Sequence, residues 1–203
     1  MILIGRFLSP FVRRSATVLN LLGLEYEQRE VATAEDADLI KEFNPLGRVP
    51  ALALDDNTII DSHAIIDYAL EKVGTMQTLL ARAGAPRQRT LYLSSVATGV
   101  MEKGVASAYE KTQRPEEYFY APYRDKLRTQ VADGLSRLDD QLGDEAWFGG
   151  LGPDLADVNA VVAYDFVNII APSVIADAKL NNLTRLSALA NEQPAFQSTR
   201  WQG

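Results

Sequence analysis

Cysteine is absent from the 203 residues, and histidine occurs once, at His63. Without cysteine the chain can form no disulfide, build no zinc–thiolate site and supply no thiol nucleophile of its own. Any thiol chemistry must use a borrowed thiol, and no metal site is expected. Also missing is a tract rich in lysine and arginine. With a net charge of −7, the chain offers no footprint for nucleic-acid phosphates or an anionic membrane surface. No uninterrupted apolar stretch approaches the roughly 20 residues that cross a bilayer, and there is no internal repeat or low-complexity tract. The opening MILIGRFLSP has Arg6 inside its short apolar run and no small-residue cleavage signal, so no signal peptide is read there and a cytoplasmic location is the default expectation. What remains is ordinary globular composition, 47% hydrophobic and 23% charged. The length accommodates one or two domains.

The first half alternates between strand and helix signals. Residues 2–7 read as a strand. Ser9-Pro10 then supplies a hydroxyl at the N-cap followed by proline at the first helical position. Val12, Ala16 and Leu19 recur at helical spacing, and Gly23 stands where a helix stop is expected. A second strand over 26–31 and a short acidic helix over 34–43 follow, the latter closed by Asn44-Pro45, since a residue before proline is biased out of the helix. Apolar runs at 49–54 and 58–60, separated by Asp55-Asp56-Asn57, predict an antiparallel hairpin. Ser62 is expected to cap a further helix ending at Gly74. The order β-α-β-α-β-β-α is that of a thioredoxin-like domain, expected over residues 1–76.

Residues 77–86 lack clear periodicity and contain Gly84 and Pro86, as a connection between domains does. From residue 87 to 203 only helical periods occur: 87–111, 122–142, 155–170, 183–191 and a short piece at 194–201. The second domain is therefore expected to be an all-α helical bundle.

Three segments placed at fixed points of this plan resemble the glutathione transferase family: Ser9-Pro10-Phe11-Val12-Arg13-Arg14 between the first strand and helix, Asn44-Pro45-Leu46-Gly47-Arg48-Val49-Pro50, and Asp61-Ser62-His63-Ala64-Ile65. The likeness extends more loosely over the helical half. It implies that glutathione binds the first domain as co-substrate, that the helical domain contributes the site for a hydrophobic electrophile, and that the protein is a homodimer. The Ser-Pro-Phe form is similar to the serine-type members, in which the hydroxyl at the place of Ser9 hydrogen-bonds the glutathione sulfur and favours its thiolate. Donors at the positive end of a helix do lower a thiol's pKa. Read from the residues alone, Ser9 is an N-cap, and the two uses are compatible.

The same likeness implies a cis Val49-Pro50 bond, with the Val49 N–H and C=O pairing with the cysteinyl backbone of glutathione as a short strand addition. Without it Pro50 is only a proline at the start of a strand. Arg48 corresponds to a basic place that meets the glycyl carboxylate, and an isolated arginine there is otherwise simply solvated. Asp61 and Ser62 resemble the pair that binds the γ-glutamyl end, Asp61 toward its ammonium and Ser62 with the following N–H groups toward its carboxylate; otherwise they are a cap and a neighbouring acid. Where the family often adds a second basic group, Glu35 and Asp36 are acidic. His63 reads as a polar residue of a helix's first turn, Asp154 with Asp157 as a capping motif, and Tyr109, Tyr118, Tyr120 and Tyr123 as core, interface or electrophile contacts. Three outcomes stay open: conjugation; another glutathione-dependent reaction such as isomerisation, dehalogenation or peroxide reduction; or a non-catalytic binding or assembly module.

Overall fold

The computed structural model of the chain describes residues 1–33, 35–74 and 78–202. Ala34, the expected start of the second helix, lies outside the described residues, as do Met76 and Gln77 at the expected domain junction and the last residue, Gly203. Two compact units are present. One comprises Met1–Leu79 with the C-terminal residues from Asn191 on, and the other comprises Leu80–Ala190.

The first unit is built on β1 (Ile2–Ile4), inside a four-stranded sheet of order β2-β1-β3-β4. β2 (Glu27–Arg29) runs parallel to β1, β3 (Ala51–Ala53) antiparallel to it, and β4 (Thr58–Ile59) antiparallel to β3. The strands are shorter than their apolar runs for local reasons. Gly5, at φ 128°, turns the chain out of β1. Pro50 has no N–H for a ladder bond, so β3 begins after it. Ile2 and Ile4 project from one face with Ile40 and Phe43 of α2 (Ala37–Phe43). Leu3 and Leu52, paired across β1 and β3, project from the other, toward the packed pair α1 (Pro10–Leu21) and α3 (Ser62–Val73). The sheet is thus covered on both faces, as the thioredoxin-like order requires.

The second unit is helical throughout. It contains α4 (Gly84–Thr112), a 3₁₀ turn at Glu116–Tyr118, α5 (Ala121–Leu142), α6 (Leu155–Ile170), α7 (Pro172–Ala178) and most of α8 (Asn181–Asn191). α4 starts three residues before the expected position because Pro86 falls in its first turn, where proline is tolerated. α7 had no signal in the sequence: with only Val174 buried, its seven residues show no period. α4 packs on both α5 and α6. At Gly134 of α5 an added Cβ would stand 2.5 Å from Val100 Cγ2 of α4. Most of α6 is buried, with Asp157 and Asn159 among its buried residues. Among the described residues no single helix is long and apolar enough to cross a membrane.

The final short helix, α9 (Pro194–Gln197), packs on α1, with Phe196 and Thr199 fully buried. The residues after α8 therefore group with the sheet, although their helical period alone assigns them to the bundle.

α6 opens on the capping box expected at Asp154. Its carboxylate accepts from the N–H groups of Ala156 (2.7 Å) and Asp157 (3.2 Å), and Asp157 accepts in return from the Asp154 N–H at 2.8 Å. Asp157 also accepts from the backbone of Phe148 (2.8 Å) and Gly149 (3.2 Å), so one fully buried carboxylate gathers three backbone donors. Burial pushes its pKa up to about 7, against the pull of those donors. A carboxyl raised above its unfolded value binds more protons in the native state. Its contribution to stability is therefore present below the unfolded pKa near 4 and is lost as the pH rises through about 7. Asp157→Asn replaces one accepting oxygen with an NH₂ turned toward backbone N–H groups. Urea unfolding at neutral pH is expected to show a loss of about 1–3 kcal/mol, and the variant's stability should lack the wild-type decline between about pH 4 and pH 7.

Candidate functional site at one end of the sheet

Strand register assembles the site. Continuing the ladders one step beyond Ile4↔Ala51 sets Gly5 opposite Pro50, and two steps beyond Leu52↔Ile59 set Pro50 opposite Asp61. With neighbouring strands about 4.8 Å apart, these three positions span roughly 10 Å along one edge of the sheet. Gly5 is the tightest point. Its Cβ, were there one, would lie 2.5 Å from Val12 Cγ2 of α1 and 3.0 Å from Val49 Cβ. The glycine thus lets the start of α1 and the Val49 loop close on each other. Its N–H donates to the Arg29 carbonyl (2.9 Å), and its own carbonyl accepts from Gln28 Nε2 (3.0 Å).

Ser9 follows in the β1–α1 turn, its N–H bonded to the Arg6 carbonyl at 3.0 Å. It occupies the N-cap of α1 with extended backbone (φ −69°, ψ 120°), yet its side chain makes no capping bond. Of the two uses readable in the sequence, the cap is not made. No acidic residue stands in the first turn of α1. The half-buried hydroxyl and the positive end of a 12-residue helix are left as donors for an anion.

Val49-Pro50 is cis, as the family likeness implied. Pro50 is buried and Arg48 exposed. Among the described residues neither the N–H nor the C=O of Val49 has a hydrogen-bond partner, so both are available to an extended ligand. The loop before them is organised by Asn44, 3% exposed. Its Nδ2 donates to the Arg48 carbonyl (2.8 Å), its Oδ1 accepts from the Leu46 N–H (3.0 Å), and its carbonyl accepts from the Gly47 N–H (2.9 Å). In the acidic region that departs from the family pattern, Asp36 turns inward and accepts from the Ala32 N–H at 2.7 Å, while Glu35 is exposed.

At the third position the cap of α3 is Asp61 and not Ser62. The Asp61 Oδ1 accepts from the His63 N–H at 2.8 Å, which makes Ser62 the first helical residue. The shift of one residue follows from the stronger acceptor taking the cap. Asp61 remains exposed, and Ser62 is 2% exposed with a hydroxyl that bonds to nothing else among the described residues. The Ile60–Asp61 bond is also cis. Tyr109, Tyr118, Tyr120 and Tyr123 belong to the helical unit and are all exposed. Among the described residues no group of three or more His, Asp and Glu side chains is placed to hold a metal ion.

The model of the glutathione S-transferase N-terminal domain matches residues 3–77, and that of the C-terminal domain matches residues 99–194. The chain belongs to the glutathione S-transferase family. It is 28% identical over 166 residues to a probable glutathione S-transferase of Glycine max, covering 78% of this chain and 68% of that protein. To the maleylacetoacetate isomerase of Pseudomonas aeruginosa it is 27% identical over 190 residues, covering 91% and 88%. Among solved structures, a glutathione S-transferase of Methylobacterium radiotolerans in complex with glutathione sulfonate superposes with a TM-score of 0.90 at 25% identity, over 98% of this chain and 93% of that one. The thioredoxin-like and helical arrangement is that of the glutathione S-transferase fold.

Gly5 falls inside the strand expected over 2–7 and is not singled out by the sequence, and Asn44 reads there only as the helix stop before Pro45, without its part in holding the Arg48 and Leu46 backbone. Gly5→Ala forces a side chain into a 2.5 Å gap at φ 128° and is expected to destabilise the protein by roughly 1–3 kcal/mol. Asn44→Ala leaves the Arg48 carbonyl and the Leu46 N–H without their partner and is expected to cost about 1–3 kcal/mol. Thermal and urea melts of the two variants check both values.

Proposed function

We propose that the chain is a glutathione transferase that activates the glutathione thiol through Ser9 and adds it to a hydrophobic electrophile. The observation that carries the reading is the Ser9 hydroxyl, unused as a cap at the N-terminus of α1. Glutathione lies along the sheet end. The free backbone of Val49 beside cis Pro50 pairs with its cysteinyl residue, and Arg48 meets the glycyl carboxylate. Asp61 takes the γ-glutamyl ammonium, and Ser62 with the N–H groups of α3 takes the γ-glutamyl carboxylate. The Ser9 O–H donates to the sulfur, the thiol proton leaves to solvent, and the thiolate forms a carbon–sulfur bond as the electrophile's π bond opens, the displaced electron pair then taking up a proton from solvent. Family membership and the glutathione sulfonate complex of a relative support the peptide's place.

In this reading the first unit, Met1–Leu79 with the residues from Asn191 on, binds glutathione, and the helices of the second unit supply the electrophile site. The functional form is a cytoplasmic homodimer, since closed two-fold dimers are the commonest soluble assemblies. A second reading, glutathione-dependent isomerisation, is supported by the likeness to a maleylacetoacetate isomerase over 91% of the chain. It uses the same activated thiolate, with the sulfur released again at the end of the cycle.

Ser9→Ala tests the shared step. Free thiols titrate near ~8.5, and the thiol of bound glutathione is expected to titrate below that in the wild type and to move back toward it in the variant. Each unit of that return corresponds to about 1.4 kcal/mol. Since Ser9 makes no capping bond, the variant's stability should stay within about 0.5 kcal/mol of wild type. Glutathione affinity, held by Val49, Asp61 and Ser62, should change little. Ultraviolet thiolate titration, calorimetry and a thermal melt measure the three quantities. An unchanged titration curve in folded Ser9→Ala would remove Ser9 from the chemistry.

A further inference from the structure

The C-terminal residues of the first unit run along α1 and make contact at several levels. Arg13 donates to Asn191 Oδ1 at 3.0 Å. Asn20 Nδ2 donates to the Ala195 carbonyl at 3.3 Å and to Ser198 Oγ at 3.1 Å. Midway, the hydroxyls of Thr17 and Thr199, both fully buried, stand 2.9 Å apart. The Arg13 carbonyl (2.9 Å from Thr17) and the Phe196 carbonyl (3.0 Å from Thr199) are alternative acceptors, so one hydroxyl donates to its carbonyl while accepting from the other. Positions 13, 17 and 20 are spaced i, i+4, i+7 and share one face of the helix. It is a face separate from the Val12, Ala16, Leu19 stripe buried in the core. The last contact leaves the helix for the turn before it: the Arg6 guanidinium lies 5.8 Å from the centroid of the Trp201 ring, within cation–π range.

Arg6 is also the residue whose carbonyl holds the Ser9 N–H at 3.0 Å. The strap therefore grips the chain on both sides of Ser9, through α1 after it and through Arg6 before it. The start of the turn is anchored at Gly5, through Arg29 and Gln28, while between Gly5 and α1 the Arg6–Ser9 bond is the only backbone hydrogen bond among the described residues. Ser9 caps nothing, and Gly5, which begins the turn, brings no side chain. We propose that Trp201 is a positioning residue: its ring, within cation–π range of Arg6, fixes the β1–α1 turn so that the Ser9 hydroxyl meets the glutathione sulfur at full strength. The role rests on Ser9 being the sulfur donor. It goes beyond that assignment by giving the C-terminal strap a measurable effect on the state of the sulfur. A hydrogen bond to a forming anion weakens steeply with distance and angle, so a small drift of the turn changes the thiol's pKa before it changes the peptide's affinity.

The test uses the full chain with bound glutathione, titrated by thiolate absorbance, with affinity measured by calorimetry. Trp201→Ala is expected to raise the apparent thiol pKa by about one unit, close to a tenfold loss of thiolate at pH values well below it, while affinity is retained. Trp201→Tyr keeps a ring face for the cation and should restore the wild-type curve. Arg6→Gln should reproduce the shift of Trp201→Ala, and the double variant should shift no further than either single one, because the two residues act through one contact. Should Trp201→Ala fail to fold, Arg6→Gln and Trp201→Tyr still decide. Folded Trp201→Ala and Arg6→Gln that titrate like wild type, alongside a shifted Ser9→Ala, would overturn the positioning role and leave the strap as packing only. If Ser9→Ala also titrates like wild type, the Ser9 assignment fails, and the role of Trp201 fails with it.

Discussion

The candidate site depends on how closely α1 and the Val49 loop approach each other across Gly5. A side chain at that position would overlap Val12 on one flank and press on Val49 on the other. Only with a bare α-carbon do the β1–α1 turn and the cis-proline loop share one end of the sheet. Strand register does the rest, carrying the same edge across to Asp61. Three short segments far apart in sequence thus become one surface through a constraint none of them contains.

Elements with a strong local signal were legible in the sequence. The strand and helix order of the first unit, the start of α1 at Pro10, the boundaries of α6 and the Asp154 cap all follow from spacing and capping chemistry. What escaped was either too short to show a period or depended on partners distant in the chain. α7 is too short to show a period. The return of residues 191–202 to the first unit is encoded in hydrogen bonds to Arg13, Thr17 and Asn20, side chains that read as ordinary helix surface. At the site, the positions of Ser9, Val49, Asp61 and Ser62 were readable, but whether a hydroxyl spends itself as a cap was not. Ser9 and Ser62 look alike as helix-start serines. The one sits at an N-cap without using it, and the other yields the cap to Asp61.

Two aspartates at helix starts show how surroundings divide one chemistry into two jobs. Asp157, fully buried, gathers three backbone N–H groups and binds the entry to α6. Asp61 caps α3 through a single bond to the His63 N–H and keeps the rest of its carboxylate in solvent. The first is saturated by its own chain. The second retains unused acceptor capacity beside an open helix terminus.

The chain has two tryptophans, and they fall in different units: Trp147 is buried in the helical one, and Trp201 lies half-buried over Arg6 in the other. Indole emission responds to local polarity and to a charge held against the ring. Each unit therefore carries its own indole, and with Trp147 replaced by phenylalanine the remaining indole emission would come from the C-terminal strap alone. Events at the β1–α1 turn become visible as changes in intensity and wavelength, with no added label.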